Sequence, residues 1–228
     1  MRVEVLPDAR ALALAAARFV AQAAREAVAA RGRCVLAASG GTHPWEMFRA
    51  FAAEDVPWSN VHITQVDERV APAGHAERNW THLSASLARA RLAVSQLHPM
   101  PVEDADLAAA ADRYAQEMAR IAGAASVLDI VHLGLGEDGH TASLMPGDAV
   151  LDISDRDVAL CGVYQGRRRM TLTFAPINRA RCLLWLVSGQ RKAEALAKLL
   201  AADPGVPAGR VNQERAIVFA DRAAAANF

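Results

Sequence analysis

The stretch Leu133-Gly134-Leu135-Gly136-Glu137-Asp138-Gly139-His140-Thr141-Ala142-Ser143-Leu144-Met145-Pro146-Gly147 places a histidine and two carboxylates in a glycine-rich turn directly behind an apolar run. That run, residues 127–133, is interrupted only by Asp129 and His132, as expected of a parallel strand covered on both faces. Glycines then let the backbone turn sharply at its carboxyl end. Ligands in open α/β sheets bind at that end, so the turn reads as a reaction centre. A second turn of the same design, Ser39-Gly40-Gly41-Thr42-His43-Pro44, follows the apolar residues 34–38. Two such turns imply one shared pocket.

The 228 residues suffice for one large α/β domain with a substantial core, and the expected organisation is a single catalytic domain over 1–228. Hydrophobic residues make up 53% of the chain, which argues against disorder. Equal numbers of acidic and basic residues leave no electrostatic reason to expect nucleic acid or an anionic membrane as partner, so the expected partner is a small molecule. Cys34, Cys161 and Cys182 are far apart and form no CxxC pair, so they read as reduced thiols rather than a disulfide framework or zinc site. No apolar run reaches the roughly 18 residues of a membrane span. Arg2, Glu4 and Asp8 interrupt the start where a secretory signal would need an apolar stretch, and a cytoplasmic location is expected.

Strand and helix patterns alternate along the chain. Residues 3–6 read as a strand and 8–30 as an alanine-rich helix, with Leu12, Leu14, Phe19 and Val28 available for packing and Gly32 closing it. Strands are expected at 34–38 and 61–66, with helices from about 44–53 and 80–90, the βαβ pattern of a parallel sheet. A helix from about 105–122 carries Leu107, Ala111, Tyr114 and Met118 at helical spacing. Strands at 158–163, 170–173, 182–187 and 216–219, with a helix over 190–201, complete the pattern. The expected fold is a modified doubly wound, mostly parallel sheet with helices on both faces.

Ser39 to Pro44 lies between a strand and a helix, so its amides and the positive helix end converge on one spot that favours an anion. Pro44 suits the first helical position. The loop lacks the lysine of nucleotide triphosphatases, so a monophosphate on a small molecule is favoured over ATP, with a plain tight turn as the alternative. Asp67-Glu68-Arg69 at the end of the 61–66 strand is either a solvated loop or part of the pocket. Arg167, Arg168, Arg169 and Lys192 are further cations that could reach a phosphate. Gly134 to Gly139 also matches GxGxxG, but Glu137 and Asp138 would put two negative charges where a pyrophosphate has to approach. His140 is expected to open a helix, with Asp138 close by, and suits a general base. His62, His75, His82, His98 and His132 show no metal-ligand spacing.

With these residues in place, nearly the whole chain resembles the 6-phosphogluconolactonases of the family that also contains glucosamine-6-phosphate deaminases. The family pattern SGGxTP corresponds to Ser39-Gly40-Gly41-Thr42-His43-Pro44, its DER to Asp67-Glu68-Arg69, its downstream asparagine to Asn79, and its GxGxDGHTASLFPG to residues 134–147. Arg169 before Thr171-Leu172-Thr173, and Gly189 followed by Lys192, complete the match. The resemblance implies a modified doubly wound fold, no cofactor or metal, and hydrolysis of 6-phospho-D-glucono-1,5-lactone in the oxidative pentose phosphate pathway, with a functional link to glucose-6-phosphate dehydrogenase. It implies His140 as the base that activates water, Asp138 as its orienting carboxylate and Arg69 near the oxyanion or sugar hydroxyls. Ser39, Gly40, Gly41, Thr42, His43, Asp67, Asn79, Gly136, Arg169 and Lys192 would bind the substrate and its phosphate.

Three positions depart from the family pattern. His43 stands where many members have Thr, Met145 replaces the common Phe, and Phe219-Ala220-Asp221-Arg222 stands where a Trp-Phe-Leu-Asp type of sequence is usual. The sister deaminases carry GHIAFNEP where this chain has Gly139-His140-Thr141-Ala142-Ser143-Leu144-Met145-Pro146, so the glutamate of that motif is missing. A sugar-phosphate sensor of a transcription regulator would carry a helix-turn-helix segment, whereas this sequence begins directly with the catalytic-type domain.

Overall fold

In the computed structural model, which describes residues 1–227, strand and helix alternate from the first residues onward. Strand β1 (Arg2–Leu6) leads into α1 (Ala9–Arg31), which starts where the Asp8 carboxylate accepts from the Ala11 amide at 2.8 Å. It ends at Gly32, whose amide donates to the Val28 carbonyl. Leu12, Ala16, Val20, Ala24 and Ala27 form its buried stripe, and the small alanines let the helix lie close to the sheet. Leu14, expected to pack, is exposed because it sits about 200° around the helix from Leu12.

Next come β2 (Cys34–Ala38), α2 (Thr42–Phe51), β3 (Val61–Gln65), β4 (Asp67–Arg69), α3 (Asn79–Ser86) and α4 (Leu107–Ala122). The chain continues through β5 (Ile130–Leu133), β6 (Val158–Tyr164), β7 (Arg167–Leu172), α5 (Phe174–Arg179), β8 (Leu183–Val187), α6 (Ala193–Leu200) and β9 (Ala216–Asp221). None of the described helices is long and apolar enough to cross a membrane.

Six strands form a parallel sheet in the order β1-β9-β8-β5-β2-β3. Successive strand residues feed opposite cores, as the pleat requires. Cys34, Leu36 and Ala38 join α1 and α2 on one face. Val35 and Ala37 join α4, α6 and the second sheet on the other. The chain runs from β2 outward to β3, then returns past β2 to β5 and onward to β8 and β9. The winding therefore reverses between β2 and β5, and the doubly wound expectation holds.

Two features differ from the sequence reading. β4, β7 and β6 form a separate antiparallel sheet, because the Gln165-Gly166 turn (φ 52° and 76°) folds the arginine run back against β6. His140 opens no helix: residues 139–147 are turns held by a Thr141–Leu144 bridge, and the first helical turn after them is Ala149–Asp152.

His132 of β5 is fully buried, its ring edge-on to Phe48, and its Nδ1 accepts from the Ser39 amide at 3.3 Å. Burial pushes its imidazole down to about 3, against a weaker upward pull from the Ser39 amide. His62 and His98, in ring-to-ring contact at 3.0 Å, are also lowered by burial. The folded chain thus binds fewer protons here than the unfolded chain, whose imidazoles titrate near ~6.5. This stability is intact above about pH 6.5 and is lost as pH falls toward 3, at about 1.4 kcal/mol per pH unit for His132 once the unfolded ring is charged. Urea midpoints measured from neutral to mildly acidic pH should fall in the native chain and fall less steeply in His132→Gln. Equal slopes would mean that this ring is not protonated on unfolding.

Candidate active site

The carboxyl ends of β2, β3, β5 and β8 open onto one cavity of about 340 Å³. It lies where the winding of the sheet reverses, the position at which doubly wound sheets leave a crevice. Ser39, Gly40, Gly41, Thr42 and His43 line it from the turn between β2 and α2, and Gly136 and His140 line it from the turn after β5. Asp67, Arg69, Asn79, Arg169 and Lys192 complete the wall. Every binding residue expected from sequence therefore meets the same space. Asp138 does not line it and stands behind His140.

Each turn is packed closely enough by side chains to require glycine at one position. A Cβ on Gly40 would collide with the Asn79 amide, and one on Gly136 with both the His140 imidazole and the Asp138 carboxylate. Pro44 falls in the first turn of α2, two residues later than expected, because the helix already begins at Thr42.

His140 Nδ1 donates to Asp138 Oδ1 at 2.6 Å, and the same oxygen accepts from the His140 amide at 3.1 Å. This leaves Nε2 as the ring nitrogen free for chemistry. Burial pushes the Asp138 carboxyl up, but the amide and imidazole of His140 outweigh it and hold the carboxyl below its ordinary value. Asp138 is thus an anion paired with the imidazole. Gly136 donates to the His140 carbonyl at 2.8 Å, and Ala208 donates to the Gly139 carbonyl at 3.0 Å, which fixes the turn from both sides.

Of the three consecutive arginines only Arg169 points inward. Arg167 pairs with Glu77 at 2.7 Å and Arg168 is exposed, whereas Arg169 is buried and burial lowers its affinity for its proton. Lys192, in the turn after Gly189, is likewise lowered by burial, with Glu137 and Asp138 pulling the other way. Among the described residues, neither Arg169, Lys192 nor Arg69 has a carboxylate within ion-pair distance. Arg69 Nη1 instead donates to Asn79 Oδ1 at 2.5 Å and to the Glu77 carbonyl at 3.1 Å.

Asp67-Glu68-Arg69 is pocket rather than solvated loop, and its members have different tasks. Asp67 accepts from Ser143 Oγ at 2.7 Å and faces the cavity. Glu68 is fully buried, accepts from the amides of Arg69, Asn79 and Trp80 and from Gln65 Nε2 at 2.9 Å, and forms an ion pair with Arg78 at 3.1 Å. It thereby caps α3 and presents Asn79. Among the described residues no cluster of three or more His, Cys, Asp or Glu side chains could hold a metal ion.

Residues 7–219 match the family described as glucosamine-6-phosphate isomerases/6-phosphogluconolactonase. The chain belongs to this family. A 6-phosphogluconolactonase of Mycobacterium tuberculosis is 37% identical over 239 residues, covering 98% of this chain and 97% of the relative. The GDH/6PGL endoplasmic bifunctional protein of Homo sapiens is 39% identical over 171 residues, 72% of this chain and 22% of the relative. The solved structure of 6-phosphogluconolactonase from Trypanosoma cruzi has a TM-score of 0.89 at 25% identity, covering 100% of this chain and 96% of that one.

Within this family member, Ser143, Tyr164, Ser188 and Asp221 were not read from sequence. Ser143 belongs to the histidine motif, and its hydroxyl on Asp67 could have been sought there. The other three reach the site through long-range packing that carries no local signal.

Replacing Glu68 by Ala should destabilise the chain by about 3 to 5 kcal/mol, because three amides and the Gln65 side chain lose their acceptor and buried Arg78 keeps only Glu103 as a carboxylate partner. Urea unfolding checks this. A loss below about 1 kcal/mol, the level of an exposed pair, would mean that water replaces the carboxylate.

Proposed function

We propose that the chain, acting as one catalytic unit over residues 1–228, hydrolyses 6-phospho-D-glucono-1,5-lactone to 6-phospho-D-gluconate. The observation that carries this reading is the meeting, in one cavity, of an imidazole oriented by a carboxylate with buried Arg169 and half-buried Lys192, neither of which has a carboxylate within ion-pair distance among the described residues. A phosphorylated lactone needs both. The cations, with the amides of Gly40, Gly41 and Thr42, hold the phosphate, and this remote binding energy sets the distance from C1 to the imidazole.

His140 Nε2 takes a proton from water as its oxygen bonds to C1, and Asp138 keeps Nδ1 protonated and stabilises the imidazolium. Arg69 is the cation for the oxyanion or the neighbouring hydroxyls. Collapse of the tetrahedral intermediate breaks the bond between C1 and the ring oxygen. The imidazolium returns its proton to that oxygen, which becomes the C5 hydroxyl, and the carboxylic acid formed at C1 ionises. No group beyond the side chains and water enters this scheme.

The sister deamination of glucosamine 6-phosphate is disfavoured because buried Met145 stands where the deaminase motif has its glutamate. A functional link to a dehydrogenase draws support from the name of the human relative, which joins GDH and 6PGL in one protein.

Incubation with the lactone, measured against its uncatalysed hydrolysis, and separately with glucosamine 6-phosphate tests the assignment. Acceleration of the first and inertness toward the second are expected; the reverse pattern would overturn it. His140→Ala should lower kcat at least about 100-fold with little change in KM, the range for loss of a general base. Near-normal kcat would exclude that role. Lys192→Ala should mainly raise KM, and an unchanged KM would move the phosphate site elsewhere.

A further inference from the structure

Arg169 presents an electrostatic problem that its hydrogen bonds do not solve. Arg169 is 5% exposed, its Nε has no hydrogen-bond partner among the described residues, and its two other bonds, to Ser143 Oγ and Gln165 Oε1, are both 3.5 Å long. The Asp67 charge, on the far side of the same Ser143 hydroxyl, acts on it without contact, and a buried cation with no contacting counterion is costly. A carboxylate would relieve that cost but would occupy the donors that a phosphate needs.

The neighbour that does lie against it is aromatic. The Arg169 guanidinium carbon sits 5.0 Å from the centre of the Tyr164 ring. The ring's negative face stabilises the cation without accepting a hydrogen bond, so the N–H groups stay available to an anion. The same ring meets His140 edge-on, at 5.8 Å between centroids and 62° between planes. Asp138 already fixes Nδ1 of that imidazole, and the tyrosine ring limits its rotation while making no hydrogen bond to Nε2.

Local geometry places this ring. Tyr164 ends β6 and pairs with Arg167, which begins β7, across the tight Gln165-Gly166 turn, and the ladder register shifts between Cys161 and Tyr164. A register shift re-aims the side chains that follow it. The hairpin therefore delivers Tyr164 from one strand and Arg169 from the other, two residues inside the fold from Arg167.

We propose that Tyr164 is a positioning residue: its ring holds the Arg169 guanidinium and the His140 imidazole in fixed relation while leaving the hydrogen-bonding atoms of both free for substrate. The kinetic part rests on the lactonase reading. Tyr164→Phe keeps the ring and removes the hydroxyl; Tyr164→Ala removes both.

Steady-state kinetics on the lactone should show Tyr164→Phe within about twofold of the native enzyme. Tyr164→Ala should lower kcat and raise KM by about 3- to 10-fold each, the span of one cation–π or aromatic contact. In protein carrying ¹⁵N-labelled histidine and arginine, the His140 ring and Arg169 Nε resonances should both move in Tyr164→Ala and stay in place in Tyr164→Phe. Unchanged resonances in Tyr164→Ala would overturn the proposal whatever the activity. Equal damage from Phe and Ala would assign the effect to the hydroxyl and overturn it as well. A native enzyme inert toward the lactone would instead refute the functional reading, and the resonances would still decide the role of Tyr164.

Discussion

The pairing of β5 beside β2 is the constraint from which the site follows. Leu36 opposite Ile130 and Ala37 opposite Val131 set two parallel strands in register, and each strand then ends in a glycine turn at the same edge of the sheet. Because the winding reverses between these strands, no crossover helix covers the gap between the turns. His132 fastens the arrangement by accepting the Ser39 amide from below, so the turn between β2 and α2 is tied to the strand that launches the histidine turn. Gly40 then leaves room for the Asn79 amide, and Gly136 for the His140–Asp138 pair, where a Cβ would collide. The chemistry of the cavity is thus a property of strand order before it is a property of any side chain.

Electrostatics in the cavity follow a division of labour. Asp67, which lines it, is satisfied by Ser143, and the carboxylates behind its wall are satisfied likewise: Glu68 by Arg78 and three amides, Asp138 by His140, and Asp221 by Ser188 and Gly189. Arg169 and Lys192 lack such partners and face the space left over. A chain of zero formal charge therefore carries a locally cationic pocket, a distinction that composition cannot express. The aromatic face of Tyr164 belongs to the same scheme, since it supports a cation without neutralising it.

Legibility from sequence tracked how local each cause is. Glycine after an apolar strand is a local signal, and both turns could be read from it, whereas Asp67, Arg69, Arg169 and Lys192 are only candidates by that reading and Asn79 follows from the family resemblance alone. From composition and spacing alone Arg169 could not be separated from Arg167 and Arg168, and the family resemblance picks it out; pairing with β4 and β6 decides which arginine turns inward, and that second sheet has no signature beyond three charged residues and a Gln-Gly turn. The expected helix at His140 failed for a related reason. The motif reads as a helix start, yet the bond from Gly136 to the His140 carbonyl and the Thr141–Leu144 bridge use the backbone groups that a helix would need. Strand β5 begins at Ile130 rather than 127 because Asp129, just before it, directs its carboxylate back to Arg31 and the Val35 amide.

Two of the departures from the family pattern, His43 and the segment 219–222, lie far apart in the chain and meet at one hydroxyl. Asp221 closes β9 and accepts from Ser188 Oγ at 2.5 Å and from the Gly189 amide at 3.1 Å, so it fixes the turn that starts the helical segment carrying Lys192. His43 Nε2 lies 3.5 Å from the same Ser188 oxygen on the cavity side. Burial pushes the Asp221 carboxyl up, while Ser188, the Ala224 and Gly189 amides and His43 together hold it below its ordinary value. Phe219, two residues earlier, packs against Phe19 of α1 at 5.6 Å, so the altered strand end remains anchored in the core. An imidazole in place of a threonine hydroxyl is therefore accommodated by a serine whose own proton is committed to Asp221, which leaves its lone pairs to face His43. Through that serine, the residue that differs in the turn between β2 and α2 is in contact with the strand that differs at the other end of the sequence.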